Sequence, residues 1–157
     1  MQKIALMLIA ASLGLALSGP VLAADSAKPA QPAKHKAVAK KAAPRHKVVF
    51  QVSDGDPKKW NLALNNVNNV QEALGKKNVT VEVVAYGPGI NMLRMESVVG
   101  NRVDDAVANG VKIVACETTM RSMKLTKDDM LSSAGYVPGG VIELMKRQRE
   151  GYAYIRP

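Results

Sequence analysis

From residue 46 onward, apolar positions switch repeatedly between consecutive runs and a spacing of three and four. Residues 46–52 (HKVVFQV) carry Val48, Val49 and Phe50 in succession, the pattern of a strand covered on both faces. Ser53-Asp54-Gly55 turns the chain, and Asp56-Pro57 opens a helix with Asp as N-cap and Pro at the first helical position. Trp60, Leu64, Val67, Val70 and Leu74 then mark one helical face, and Gly75 ends it. Residues 79–86 (VTVEVVAY) predict a second strand, closed by Gly87-Pro88-Gly89. A less regular stretch over 90–96 precedes a helix over about 98–108 that buries Val99, Val103 and Val107.

The third apolar run, 111–116, is followed by a short helix carrying Met120 and Met123. Thr126 with Asp129 three residues later has the form of a capping box opening a turn through Met130-Leu131. Tyr136-Val137 predicts a short fourth strand, and Gly139-Gly140 leads into a helix with Val141, Leu144, Met145 and Gln148 on its inner face. Gly151 stops that helix before a final strand over 152–155. Strands alternating with helices predict parallel βαβ units in an α/β fold, a three-layer α/β/α sandwich.

The first 46 residues read differently. Met1-Gln2-Lys3 is a short positive start, residues 4–17 are continuously apolar, and Gly19-Pro20 breaks the run before Val21-Leu22-Ala23. This predicts a signal peptide over 1–23, cleaved after Ala23 or else after Ala24, and hence export to the periplasm. An uncleaved anchor is the alternative, which Gly19-Pro20 opposes by breaking the helix. Residues 24–46, rich in Ala, Lys and Pro, predict a disordered basic linker, because they cannot bury enough apolar surface to offset ordering. Of the formal charge of +9, six units fall on residues 25–47 and one on Lys3, leaving +2 on residues 48–157. The basic character therefore belongs to the linker, which argues against a nucleic-acid partner for the folded domain, 47–157; the linker reads as a solvated spacer, with clinging to anionic envelope surfaces as the other reading. No stable membrane insertion is expected after cleavage.

Candidate chemistry concentrates at one place. Cys116 is the only thiol, and it stands where the third strand gives way to Glu117-Thr118-Thr119. In an open parallel sheet, ligands bind where strands end and helices begin, and a thiol there feels a helix N-terminus that favours thiolate. The alternative is a small apolar filler, the usual role of a buried free cysteine. The same edge gathers Ser53-Asp54-Gly55, Gly87-Pro88-Gly89 and Pro138-Gly139-Gly140, whose glycines permit close backbone approach and free amides for an anion. The candidate ligand-binding residues around Cys116 are thus Asp54, Gly55, Gly87, Pro88, Gly89, Thr118, Thr119 and Gly139.

Other chemistries are set aside. His35 and His46 lie outside this edge, so a Cys–His dyad is not expected, and one Cys without clustered His provides no metal site. The third position of a dinucleotide fingerprint is Met92, and no P-loop is present; no cofactor is expected. Met92, Met95, Met120, Met123, Met130 and Met145 are read as core packing, and Asp104-Asp105 and Asp128-Asp129 as solvated faces.

The sequence over about 47–157 resembles the DsrE/DsrF-like family, in an exported single-domain form. The resemblance rests on Cys116-Glu117-Thr118-Thr119-Met120, Leu125-Thr126-x-x-Asp129, Gly135-Tyr136-Val137-Pro138-Gly139-Gly140-Val141 and Gln148-x-x-Gly151-Tyr152-x-Tyr154-Ile155-Arg156-Pro157. Tyr86-Gly87-Pro88-Gly89-Ile90 fits the second strand and its loop. The resemblance implies a mostly parallel five-stranded sheet between helix layers and a homo-oligomer, often a trimer or hexamer. It implies sulfane-sulfur handling, with a persulfide on Cys116 exchanged with donor or acceptor proteins in a sulfurtransferase-type relay. The chain departs from the cytoplasmic relay members in its export signal and in lacking a second Cys. A non-catalytic oligomeric module that binds a small anion or a protein, with Cys116 structural, is the other reading.

Overall fold

The computed structural model describes residues 46–157. The signal-peptide, cleavage-site and linker expectations lie outside the described residues, apart from His46. Five strands, β1 (His46–Val52), β2 (Val79–Ala85), β3 (Lys112–Cys116), β4 (Gly135–Val137) and β5 (Ala153–Ile155), form one sheet in the order β4-β3-β2-β1-β5, parallel throughout. The helices are α1 (Pro57–Leu74), α2 (Gly100–Ala108), α3 (Glu117–Ser122) and α4 (Gly140–Arg149). Two 3-10 segments, Gly87–Leu93 and Lys127–Asp129, complete the connections.

The strand order explains the layers. From β1 to β4 each crossover steps the same way across the sheet, whereas the β4-to-β5 crossover returns past β3, β2 and β1. Parallel crossovers are right-handed, so reversing direction moves the connecting helix to the opposite face. Trp60, Leu64, Val67, Val103 and Met120 accordingly pack on one side against Phe50, Val81, Val83 and Ile113. On the other side α4 stands over Val49, Val84, Val114 and Val137 with Leu144 as its buried apolar residue.

Local signals were largely realised. The Asp56 side chain accepts from the Lys58 amide at 2.8 Å, α1 ends at Leu74, and Thr126 with Asp129 forms the capping box. Strand β2 stops at Ala85 rather than residue 86, the stretch after it is 3-10, and α2 begins at Gly100. The turn after Thr126 closes at Asp129 and does not continue through Met130-Leu131. Ala106 rather than Val107 is fully buried on α2, and Met95, Met123 and Met145 are exposed, so only Met92, Met120 and Met130 are core.

Helix α4 departs most from its pattern. Val141 and Met145 were expected inside, yet Val141, Ile142 and Met145 face out while Gly140, Glu143, Leu144 and Arg147 face in, a stripe shifted by one residue. The cause is electrostatic. Glu82 on β2 is 1% exposed and lies under α4. Arg147 Nε lies 2.7 Å from Glu82 Oε2, a close ion pair without hydrogen-bond geometry, and Arg147 Nη2 lies 2.8 Å from Glu143 Oε1. Lys112 adds a third cationic contact at 3.4 Å, and the Arg147 guanidinium stacks 5.4 Å from the Tyr152 ring. Burial pushes the Glu82 carboxyl above its ordinary range; Lys112 and Arg147 pull it back and Glu143 adds to the rise. A buried carboxylate without its cation is far costlier than an exposed valine, so the charges choose the rotation of the helix.

Two substitutions test this packing. Arg147→Met leaves Glu82 and Glu143 only the longer contacts to Lys112, at 3.4 and 3.8 Å, and should destabilise by about 3–5 kcal/mol in urea unfolding, with a clearly smaller loss when Glu82→Met is added. Gly89→Ala places a Cβ onto the Val52 carbonyl, where backbone must move, and should cost about 1–3 kcal/mol. A neutral result for either would show that the corresponding contact does not hold the fold.

Candidate functional site

Strands β3 and β4 end together. Cys116 pairs with Val137 in register, so the residues that follow both strands emerge side by side at the carboxyl edge. Helix α3 begins at Glu117 with Cys116 as its N-cap, and the Thr119 amide donates to Cys116 Sγ at 3.5 Å. Helix α4 begins at Gly140, whose amide donates to the same sulfur at 3.1 Å. The thiol thus receives backbone N–H groups from two helices, and it is 5% exposed. Gly140 can approach because it has no side chain: a Cβ there would lie 2.9 Å from the Tyr86 Cβ.

Burial pushes the Cys116 thiol up, but hydrogen bonds outweigh it. The Thr119 hydroxyl, and the amides of Thr119, Gly140 and Thr118, hold it below the ordinary cysteine value. The Thr119 hydroxyl oxygen accepts from the Gly87 amide at 3.0 Å, which leaves its own proton for the sulfur. The Thr118 hydroxyl donates to the Pro138 carbonyl at 2.8 Å and accepts from Arg121 Nη2 at 2.9 Å, tying α3 to the loop before α4. The site is therefore a recessed thiol whose hydrogen bonds favour the thiolate form against a burial that opposes it.

Beside it opens a cleft of about 460 Å³. Gly87, Pro88, Thr118 and Thr119 line it, together with Asn91, Ser122 and Met123. Cys116 itself is not in the lining, but Thr119, whose amide donates to its sulfur, is. Of the candidate ligand-binding residues, Gly87, Pro88, Thr118 and Thr119 meet at this cleft. Gly89 lies beneath it, buried, with its amide bonded to the Ser53 and Tyr86 carbonyls at 3.2 and 3.1 Å. Gly139 is the N-cap of α4, and the amide that reaches sulfur belongs to its neighbour Gly140.

Asp54 and Gly55 sit at the end of β1. The Asp54 carboxylate lies 3.7 Å from Arg156, its carbonyl accepts from Trp60 Nε1 at 2.6 Å, and Gly55 abuts Pro88. Asn91, Ser122 and Met123 were not singled out as site residues from the sequence. Met123 follows the helical spacing of a core residue, and no local signal marks it as the exposed wall of a cleft. Among the described residues no group of three or more His, Cys, Asp or Glu is placed to hold a metal ion, and no helix is long and apolar enough to cross a membrane.

Known structures share this architecture. A protein of unknown function from Methanobacterium thermoautotrophicum, MTH1491, is 38% identical with a TM-score of 0.69, covering 71% of this chain and 99% of its own. A conserved protein of unknown function from Bacteroides thetaiotaomicron, BT1422, shares the fold at 13% identity and a TM-score of 0.56, over 71% of this chain and 94% of its own. The ychN protein of E. coli does so at 10% identity and 0.56, over 72% and 99%. No curated protein matches the sequence. The model of the DsrE/DsrF-like family matches residues 46–157, with the strand-end thiol inside the matched span, and the chain is a member of that family.

Proposed function

We propose that the protein handles sulfane sulfur through a persulfide on Cys116. The observation that carries this reading is the pair of backbone amides, Thr119 and Gly140, converging on Sγ. They favour the thiolate before any substrate arrives and when the acceptor has taken the sulfur away. In the loading step the Cys116 thiolate attacks the outer sulfur of a donor R–S–SH. The new bond is Cys116 S–S, the donor S–S bond breaks, and R–S⁻ leaves with the electron pair and takes up a proton from water. An acceptor thiolate attacks the same outer sulfur to unload it, regenerating Cys116 thiolate. No net oxidation occurs, so a single Cys suffices for a carrier.

The pattern of residues 1–23 supports placing this chemistry outside the cytoplasm. The outward apolar residues of α4, Val141, Ile142 and Met145, with Tyr154 on β5, support a homo-oligomer. A structural role for Cys116 draws on its near-complete burial.

Three measurements separate these readings. Alkylation of Cys116 in the folded protein should titrate with a midpoint below that of the same thiol in the unfolded chain, following the direction of its shift. Because the unfolded chain holds the proton longer, folding stability should rise with pH between those two midpoints, and Cys116→Ser should abolish that slope. Loaded with a persulfide donor, the wild-type protein should gain about 32 Da on Cys116, one sulfur atom, and the Cys116→Ser protein none. A thiol that reacts only after unfolding, or a Cys116→Ser protein that still takes up sulfur, would overturn the persulfide reading.

A further inference from the structure

The cleft beside Cys116 has a chemical bias of its own. None of its lining side chains, from Gly87 and Pro88 to Ser122 and Met123, carries a formal charge. The backbone donors that an anion would need are already committed. The Gly87 amide donates to the Thr119 hydroxyl, the Gly89 amide to the Ser53 and Tyr86 carbonyls, and the Thr119 and Gly140 amides to Sγ itself. Arg121, on the adjoining turn, is engaged with the Thr118 hydroxyl. What the cleft offers is apolar: the exposed ring of Pro88 and the side chain of Met123, 40% exposed. Its remaining polar features are the exposed Ser122 hydroxyl and Asn91, whose amide oxygen is buried without a hydrogen-bond partner. A volume of about 460 Å³ lies within the range of roughly 300–1,000 Å³ usual for small-molecule sites.

We propose that this cleft admits uncharged, apolar-faced organic sulfur compounds to Cys116 and discriminates against inorganic anions. Resting on the persulfide reading, it makes the sulfur donor a low-molecular-weight organic persulfide in its protonated form, R–S–SH, with R lying against Pro88 and Met123. Thiosulfate, which would transfer its outer sulfur to the thiolate and release sulfite, meets no free glycine amide and no lining cation to hold its sulfonate. Thr119 is the shared wall, its hydroxyl turned to Gly87 at the cleft and its amide to the sulfur. The group R therefore occupies the cleft while its S–SH end reaches past Thr119.

The test needs no knowledge of the natural donor. The full chain is alkylated at Cys116 with neutral iodoacetamide and with anionic iodoacetate, each rate being divided by that of the same chain unfolded in urea. The neutral reagent should be favoured in the folded protein by about tenfold, the rate change that roughly 1.4 kcal/mol of discrimination produces. Met123→Lys, a change at an exposed position, should erase most of that preference. In a second arm the protein is offered benzyl persulfide or thiosulfate, and sulfur on Cys116 is read by mass. Loading from the persulfide alone supports the proposal. Equal loading from both donors overturns it while leaving the persulfide function intact. Selective alkylation with no loading from either donor upholds the selectivity of the cleft and removes the sulfur function. Equal alkylation by the two reagents, or a preference untouched by Met123→Lys, overturns the proposal.

Discussion

The ion pair between Arg147 and Glu82 fixes the helix that brings a second backbone amide to Cys116. Glu82 sits on a central strand and is out of reach of water, where an unpaired carboxylate is strongly disfavoured. Arg147 reaches it from α4 and holds Glu143 one turn earlier on the same helix. Once those two residues face the sheet, the rotation of α4 is set. Leu144 follows them inward and Val141, Ile142 and Met145 turn out. An apolar stripe alone would have rolled the helix by about one residue, and the buried charges override it.

The rotation and depth of α4 decide where its first amide points. Two residues separate the helix from β4, and β4 ends in register with Cys116, so the helix N-terminus falls beside the sulfur only if the helix lies close to the sheet. Gly140 against Tyr86 allows that closeness. Two helices on opposite faces of the sheet then converge their amides on one atom, a consequence of the crossover that reverses direction after β4. The acidity of the thiol is in this sense a property of the topology. It comes chiefly from hydrogen bonds, set against a burial that opposes it.

The glycines at the strand ends do structural work of the same kind. Gly89 lies where any side chain would overlap the Val52 carbonyl, and the amides of Gly87, Gly89 and Gly140 all have internal partners. A row of glycines beside a thiol reads in sequence as an anion cradle, and the hydrogen bonds make it a close-packed rim around an uncharged cleft.

Much of this fold is legible in the chain itself. Runs of Val in 48–52, 79–85 and 111–116, the Asp56-Pro57 start and the Thr126–Asp129 box are local signals whose physics acts within a few residues, and they delivered the strands, α1 and the capped turn. The position of Cys116 at a strand end was legible for the same reason. The facing of α4, the exposure of Met123 and the commitment of the glycine amides were not. Each depends on a partner distant in sequence: Glu82 for Arg147, Cys116 for Gly140, Thr119 for Gly87. Periodicity weighs a residue only by its own polarity and its near neighbours. A buried charge or a donated amide is defined by what stands across from it, and only the tertiary structure decides that.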